Sequence, residues 1–205
     1  MRKISLIIVG VIAAAGVLTG LYFAHAATTS KNSSDVSRTK QEAGKSHQGN
    51  KKLIIYFSAS GTTKAAAEVI QSKTGADIVR LQPKEKYPDD YNNLVKVAKN
   101  QLDNGIHPAI KTTIPNLKRY RTILVGFPTW WHQPPMIIHS LFDRYNFSNK
   151  IIVPFTTSSS DPMSRSMPEM RKLAQADGAK ITSGFRYDNN DDALDNFLRN
   201  HHLNQ

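Results

Sequence analysis

From residue 51 to its end, the sequence predicts an α/β fold built on a parallel sheet. Three observations predict it. Short apolar runs of strand length alternate with helical apolar patterns along the whole stretch. One run, Thr122-Ile123-Leu124-Val125-Gly126-Phe127, has the continuous apolar character of a buried strand. Loops rich in hydroxyls or tryptophan follow several of the strand-like runs, at the carboxyl ends where open α/β sheets place their ligands.

The first strand centres on Leu53-Ile54-Ile55 and runs into Tyr56-Phe57-Ser58-Ala59-Ser60-Gly61-Thr62-Thr63, which turns into an alanine-rich helical pattern. That turn suits a phosphate. Ser58, Ser60, Thr62 and Thr63 offer hydroxyls, Gly61 permits close backbone approach, and the helix start adds free amides at its positive dipole end. No lysine follows the glycine as in a nucleoside triphosphate loop, and no further glycine stands at dinucleotide-binding spacing. The alternative is a turn that only caps the helix.

Ala66, Val69 and Ile70 give the first helix its face, and Gly75 ends it. Asp77-Ile78-Val79-Arg80-Leu81 follows as a strand closed by Pro83. Tyr87-Pro88-Asp89-Asp90-Tyr91 opens a second helix whose expected inner face is Tyr91, Leu94, Val95, Ala98 and Leu102. The buried third strand leads into Pro128-Thr129-Trp130-Trp131-His132-Gln133-Pro134-Pro135. Both tryptophans of the protein lie there, suited either to stacking on a planar ligand or to a division between core and loop cover. Pro134 or Pro135 suits the first turn of a third helix bearing Ile138, Leu141, Phe142 and Tyr145.

A fourth strand, Ile151-Ile152-Val153-Pro154-Phe155, ends in Thr156-Thr157-Ser158-Ser159-Ser160. Ser166 and Glu169 have capping-box spacing, which predicts a helix from near Met167 to Gly178 with its methionines in the core. Residues 179–187 read as a fifth strand and residues 191–202 as a closing helix with Leu194, Phe197 and Leu198 inward. His201 and His202 complement that helix's dipole, and no metal site is predicted from them.

The front of the chain is different. Arg2 and Lys3 precede a charge-free, mostly apolar run over residues 4–24, and Ala24-His25-Ala26 offers a small-x-small cleavage site. Residues 1–26 therefore read as a signal peptide or an uncleaved N-terminal membrane anchor, either of which places the remainder outside the cytoplasm, secreted or held at the membrane's outer face. Residues 27–50, polar and nearly free of apolar side chains, read as a linker, and residues 51–205 as the folded domain. The chain has no cysteine, which removes disulfides, thiolate chemistry and cysteine-bound metals. Its formal net charge of +11 is spread and lacks aromatic interleaving, so nucleic acid is not an expected partner. The alternatives are a solvated basic surface and attraction to a membrane or an anionic cell-envelope polymer.

Three loops at the ends of the first, third and fourth strands, carrying YFSASGTT, GFPTWW and FTTSSS, make the chain from residue 51 resemble the flavodoxin-like family, in its FMN-binding branch with a double-Trp loop. The resemblance implies a doubly wound, five-stranded parallel sheet in the order 2-1-3-4-5 with helices on both faces. It implies bound FMN, with Ser58, Ser60, Gly61, Thr62 and Thr63 on the phosphate, Pro128, Thr129, Trp130 and Trp131 beside the ring, and Thr156, Thr157, Ser158 and Ser159 at its edge. Ser159 and Ser160 stand where the family has glycines, and Arg121 where it tends to have an acid. His132 could donate a proton or only pack the loop, and no catalytic residue is assigned. The implied activity is electron transfer through FMN, as an oxidoreductase acting between small-molecule donors and acceptors such as a quinone, or as a carrier to a redox protein. A flavin-free exported domain with a binding or structural role is the alternative.

Overall fold

The computed structural model describes residues 51–205, so the expectations for residues 1–26 and 27–50 lie outside the described residues. The elements alternate as expected: β1 (Lys51–Tyr56), α1 (Thr62–Thr74), β2 (Asp77–Arg80), α2 (Tyr91–Asp103), β3 (Tyr120–Pro128), α3 (Met136–Arg144), β4 (Ile151–Thr157), α4 (Met163–Ala176), β5 (Lys180–Ile181), β6 (Phe185–Arg186) and α5 (Asp191–Asn200). A short 3-10 turn, Leu117–Arg119, precedes β3. All pairings in the sheet are parallel, in the order β2-β1-β3-β4-β5, with β6 also paired to β4.

Period-two alternation divides the strands between two cores. Leu53, Ile55, Ile123, Val125, Phe127 and Ile152 face the side covered by α3 and α4, with α2 beside them. Ile54, Tyr56, Leu124, Val153 and Phe155 face α1 and α5, meeting Ala66, Ala67, Ile70, Leu194 and Leu198. Two layers of helices thus enclose one sheet, and its carboxyl edge is left to the loops.

Four local expectations are corrected. The fifth strand is split, because residues 182–184 leave the ladder. Ile152 and Thr156 accept from Thr182 and Tyr187 at 3.0 and 2.9 Å, so Pro154, two residues from each, faces the same side and has no N–H to offer. Helix α4 begins at Met163 behind Pro162, and Ser166 is a buried residue within it, not its cap. Tyr91 is 74% exposed, and Val97 takes the inward position expected of Val95. Helix α5 ends at Asn200, with His201 as its cap.

Candidate functional site

The loops after β1, β3 and β4 meet at the carboxyl edge of the sheet and are joined by hydroxyl pairs. The Thr63 and Thr157 hydroxyls lie 2.8 Å apart, which ties the start of α1 to the end of β4. Thr129 and Thr156 are paired at 2.7 Å, and the Thr129 amide donates to the Thr157 carbonyl at 3.0 Å. Thr156 also donates to the Phe127 carbonyl at 2.8 Å. These contacts, all at or near burial, give the three loops one fixed relation.

The first loop is built around Gly61. Its φ of 98° lies in the region that favours glycine, and its amide donates to the Ser58 hydroxyl at 3.1 Å. A side chain added there would meet nothing within 4 Å among the described residues, which leave the loop open on that side. The start of α1 has no side-chain cap, which leaves its first-turn amides directed outward. Ser60 and Thr62 are exposed, their hydroxyls 3.2 Å apart. Lys64 is occupied by Glu68 at 2.9 Å.

Residues 130–133 form a tight turn closed by mutual bonds between Trp130 and Gln133 at 3.0 and 3.1 Å. Trp131 and His132, its central residues, have φ of 50° and 66°, a left-handed pair unusual for non-glycine residues. The two tryptophans divide their roles. Trp130 packs edge-on against Phe57 and Tyr87, at 5.4 and 5.3 Å between ring centroids. Trp131 is 45% exposed, with the Lys99 ammonium 5.4 Å from its ring centroid. His132 reaches across to Asp161 at 2.9 Å, linking this loop to the one after β4.

In the third loop Ser158 donates to the Asp161 carbonyl, while Ser159 and Ser160 are exposed. Neither has a positive φ, so the missing glycines impose no backbone strain here. Among the predicted residues, Thr63, Thr129, Thr156 and Thr157 hold the loops together, Ser158 braces its own loop, and Ser60, Gly61, Thr62, Trp131 and Ser159 face outward.

Sequence reasoning gave Arg80 and Arg186 no place at the site, and it did not pair Phe57 and Tyr87 as an aromatic wall. Arg80 donates to the Ser58 carbonyl at 2.9 Å, and Arg186 approaches the Ser158 carbonyl at 3.4 Å. Both arginines close a strand at its carboxyl end, so a cation ending an apolar strand was the available signal. Tyr87 donates to Gln101 at 2.8 Å, and burial pushes its pKa up, so the phenol stays protonated.

The flavodoxin family profile matches residues 51–200. A Bacteroides eggerthii protein assigned as a flavoprotein is 28% identical, with a TM-score of 0.66 over 74% of this chain and 97% of that one. A similarly assigned Bacteroides uniformis protein is 26% identical at a TM-score of 0.66, over 74% and 99% of the two chains. A Lactobacillus acidophilus flavoprotein solved in complex with FMN is 25% identical, with a TM-score of 0.63 over 72% of this chain and 98% of that one. No protein of curated function matches the sequence.

Proposed function

The chain belongs to the flavodoxin family, and from that membership we propose that it binds FMN at the carboxyl edge of its sheet and transfers electrons through it outside the cytoplasm. The observation that carries this reading is the joining of three loops through Thr63–Thr157 and Thr129–Thr156 beside an uncapped helix start. The donor set fits. An open glycine turn, outward amides and the exposed hydroxyls of Ser60 and Thr62, which among the described residues pair only with each other at 3.2 Å, are what a phosphate dianion requires. The L. acidophilus flavoprotein in complex with FMN supports the choice of cofactor.

Ser60, Gly61, Thr62 and the first-turn amides of α1 hold the phosphate, and Ser58 shapes the loop by accepting from Gly61. Thr63 acts from behind by fixing the helix start to Thr157. Pro128, Thr129, Trp130 and Trp131 line one side of the ring, with Trp130 held by Phe57 and Tyr87. Backbone groups of residues 156–159 meet its edge, the side chains of Thr156 and Thr157 being engaged inside the protein. Bound FMN supplies one- or two-electron redox chemistry, and the residues around it set its position and access.

The basic charge favours a small-molecule donor or acceptor such as a quinone over the docking of a basic redox protein, because like charges repel. The apolar run over residues 4–24 behind Arg2 and Lys3 supports the outward placement and an association with the membrane surface. The deciding experiment is a titration of the purified protein with FMN, followed by visible absorbance and tryptophan fluorescence. The expected result is a perturbed flavin spectrum with quenching; no binding at ~50 µM FMN would leave a flavin-free scaffold instead. Placement is tested by alkaline phosphatase fused after Gln205, which is expected to be active; an inactive, stable fusion overturns it.

A further inference from the structure

We propose that a second binding site, for a planar aromatic anion, lies beside the first loop on its β2 side. A cavity of about 550 Å³ opens there between residues 57–60 and the segment that follows β2, within the size range of small-molecule sites. It shares Ser58, Ala59 and Ser60 with the loop already described, but not Gly61 or the loops after β3 and β4. The inference does not rest on the flavin assignment.

The floor is aromatic and aliphatic. Phe57, Leu81 and Tyr87 are buried beneath it, and Trp130 backs Phe57 and Tyr87 edge-on. Tyr91 stands exposed at the rim, where its ring can cover an occupant.

The wall is preformed. The chain after β2 is bound to residues 109–112: the Lys84 amide donates to Ala109 at 2.7 Å and the Lys111 amide to Gln82 at 2.8 Å. The Thr112 hydroxyl accepts from the Gln82 amide at 2.8 Å and donates to the Arg80 carbonyl at 2.9 Å. In this small ladder Lys84 stands opposite Ala109 and Lys111 opposite Gln82, so the two lysines lie diagonally on the same face, and both line the cavity.

The charge on the lining is one-sided. Its only carboxylate, Asp89, is held by Lys86 at 2.6 Å. Among the described residues Arg80, Lys84 and Lys111 have no carboxylate within ion-pair distance. An apolar floor under uncompensated cations selects a ligand that is flat and apolar over most of its area and anionic at one edge.

The test is calorimetric titration of the full-length protein with 2-naphthoate and with its neutral isostere 2-naphthamide, each without FMN and with saturating FMN. The naphthoate is expected to bind about tenfold more tightly than the amide, and to occupy its site together with FMN. Lys84→Glu and Lys111→Glu should each weaken it about fivefold or more. Lys180→Glu, the same charge change at the other end of the sheet, should leave it unaltered. Equal affinity for the two probes, indifference to Lys84→Glu and Lys111→Glu, an equal effect of Lys180→Glu, competition by FMN, or no binding at ~1 mM would each overturn the proposal. Failure of FMN itself to bind overturns the flavin assignment alone, since the flavin-free titrations still decide this site.

Discussion

His139 is the residue through which acid should weaken this domain. Among the described residues its buried Nε2 has no hydrogen-bond partner, and burial pushes its pKa below the ordinary 6.5 despite Glu169 at 3.8 Å. His107 and Lys172 add repulsion, while Asp143 opposes it more weakly than Glu169 does. A depressed histidine pKa means that the unfolded chain takes up the proton first. Its stability is complete above about pH 6.5 and is lost as pH falls toward the folded value, by at most about 1.4 kcal/mol per pH unit. Thermal melts should therefore show a Tm that drops between pH 7 and pH 5, and His139→Phe should flatten that drop. An unchanged slope in the variant would remove His139 from the account. A second prediction concerns Gly126, where a Cβ would lie 2.1 Å from the Phe155 ring. Gly126→Ala should destabilise by about 2–3 kcal/mol in denaturant titrations, with Phe155→Leu restoring part of the loss. At this scale the sequence pointed to hydroxyl loops as a candidate site, but not to the directions of their side chains. Thr63 and Thr62 are adjacent and chemically alike, yet one hydroxyl is buried against Thr157 and the other faces water. Only a partner 94 positions away decides between them.

The elements were legible wherever the apolar period was long. The runs at residues 53–55, 122–127 and 151–155 became β1, β3 and β4, and Gly75 capped α1 with φ of 62°. The errors arose where one residue overruled a pattern. Pro154 was plain in the sequence, and its missing donor splits the neighbouring strand, so a proline in a central strand was a signal about the strand beside it. Ser166 and Glu169 had the right spacing for a cap, but Ser166 lies inside α4, 3.5 Å from Thr129 at the site. The start of α1 gives two predictions. Gly61→Ala meets no steric obstacle, only an unfavourable φ, and should cost about 1–2 kcal/mol in stability. Thr63→Val removes the tie to Thr157 and should cost about 1–2 kcal/mol. It should also weaken FMN binding, although Thr63 sits behind the loop proposed to hold the phosphate. If FMN affinity is unchanged in Thr63→Val, the tie is structural only.

At the scale of the whole molecule, the two edges of the sheet have different chemistry. The carboxyl edge carries the hydroxyl loops, the tryptophans and the cavity. The amino edge carries cations that close the chain upon itself. Lys52 donates to the carbonyls of Leu203 and Asn204 at 2.7 and 3.1 Å. Lys150 donates to those of Leu117 and Tyr120 at 2.9 and 2.7 Å. Burial lowers the pKa of both lysines, consistent with ammonium groups partly withdrawn from water. The α/β class followed from the alternation, the buried third run and the loops, and the strand order from the family resemblance, but this polarity required the register of the strands.

The Lys52 contact also brings the last residues of the chain beside the first strand, at the edge opposite the loops. A surface-immobilised protein gripped near Lys51 or Gln205 would therefore present the edge proposed to bind FMN to the solution. Since the sequence has no native cysteine to compete, a single thiol introduced at Gln205 or at Ser160 gives two opposite orientations on an electrode. Coupling through Gln205 should leave flavin uptake intact, and coupling through Ser160 should block it.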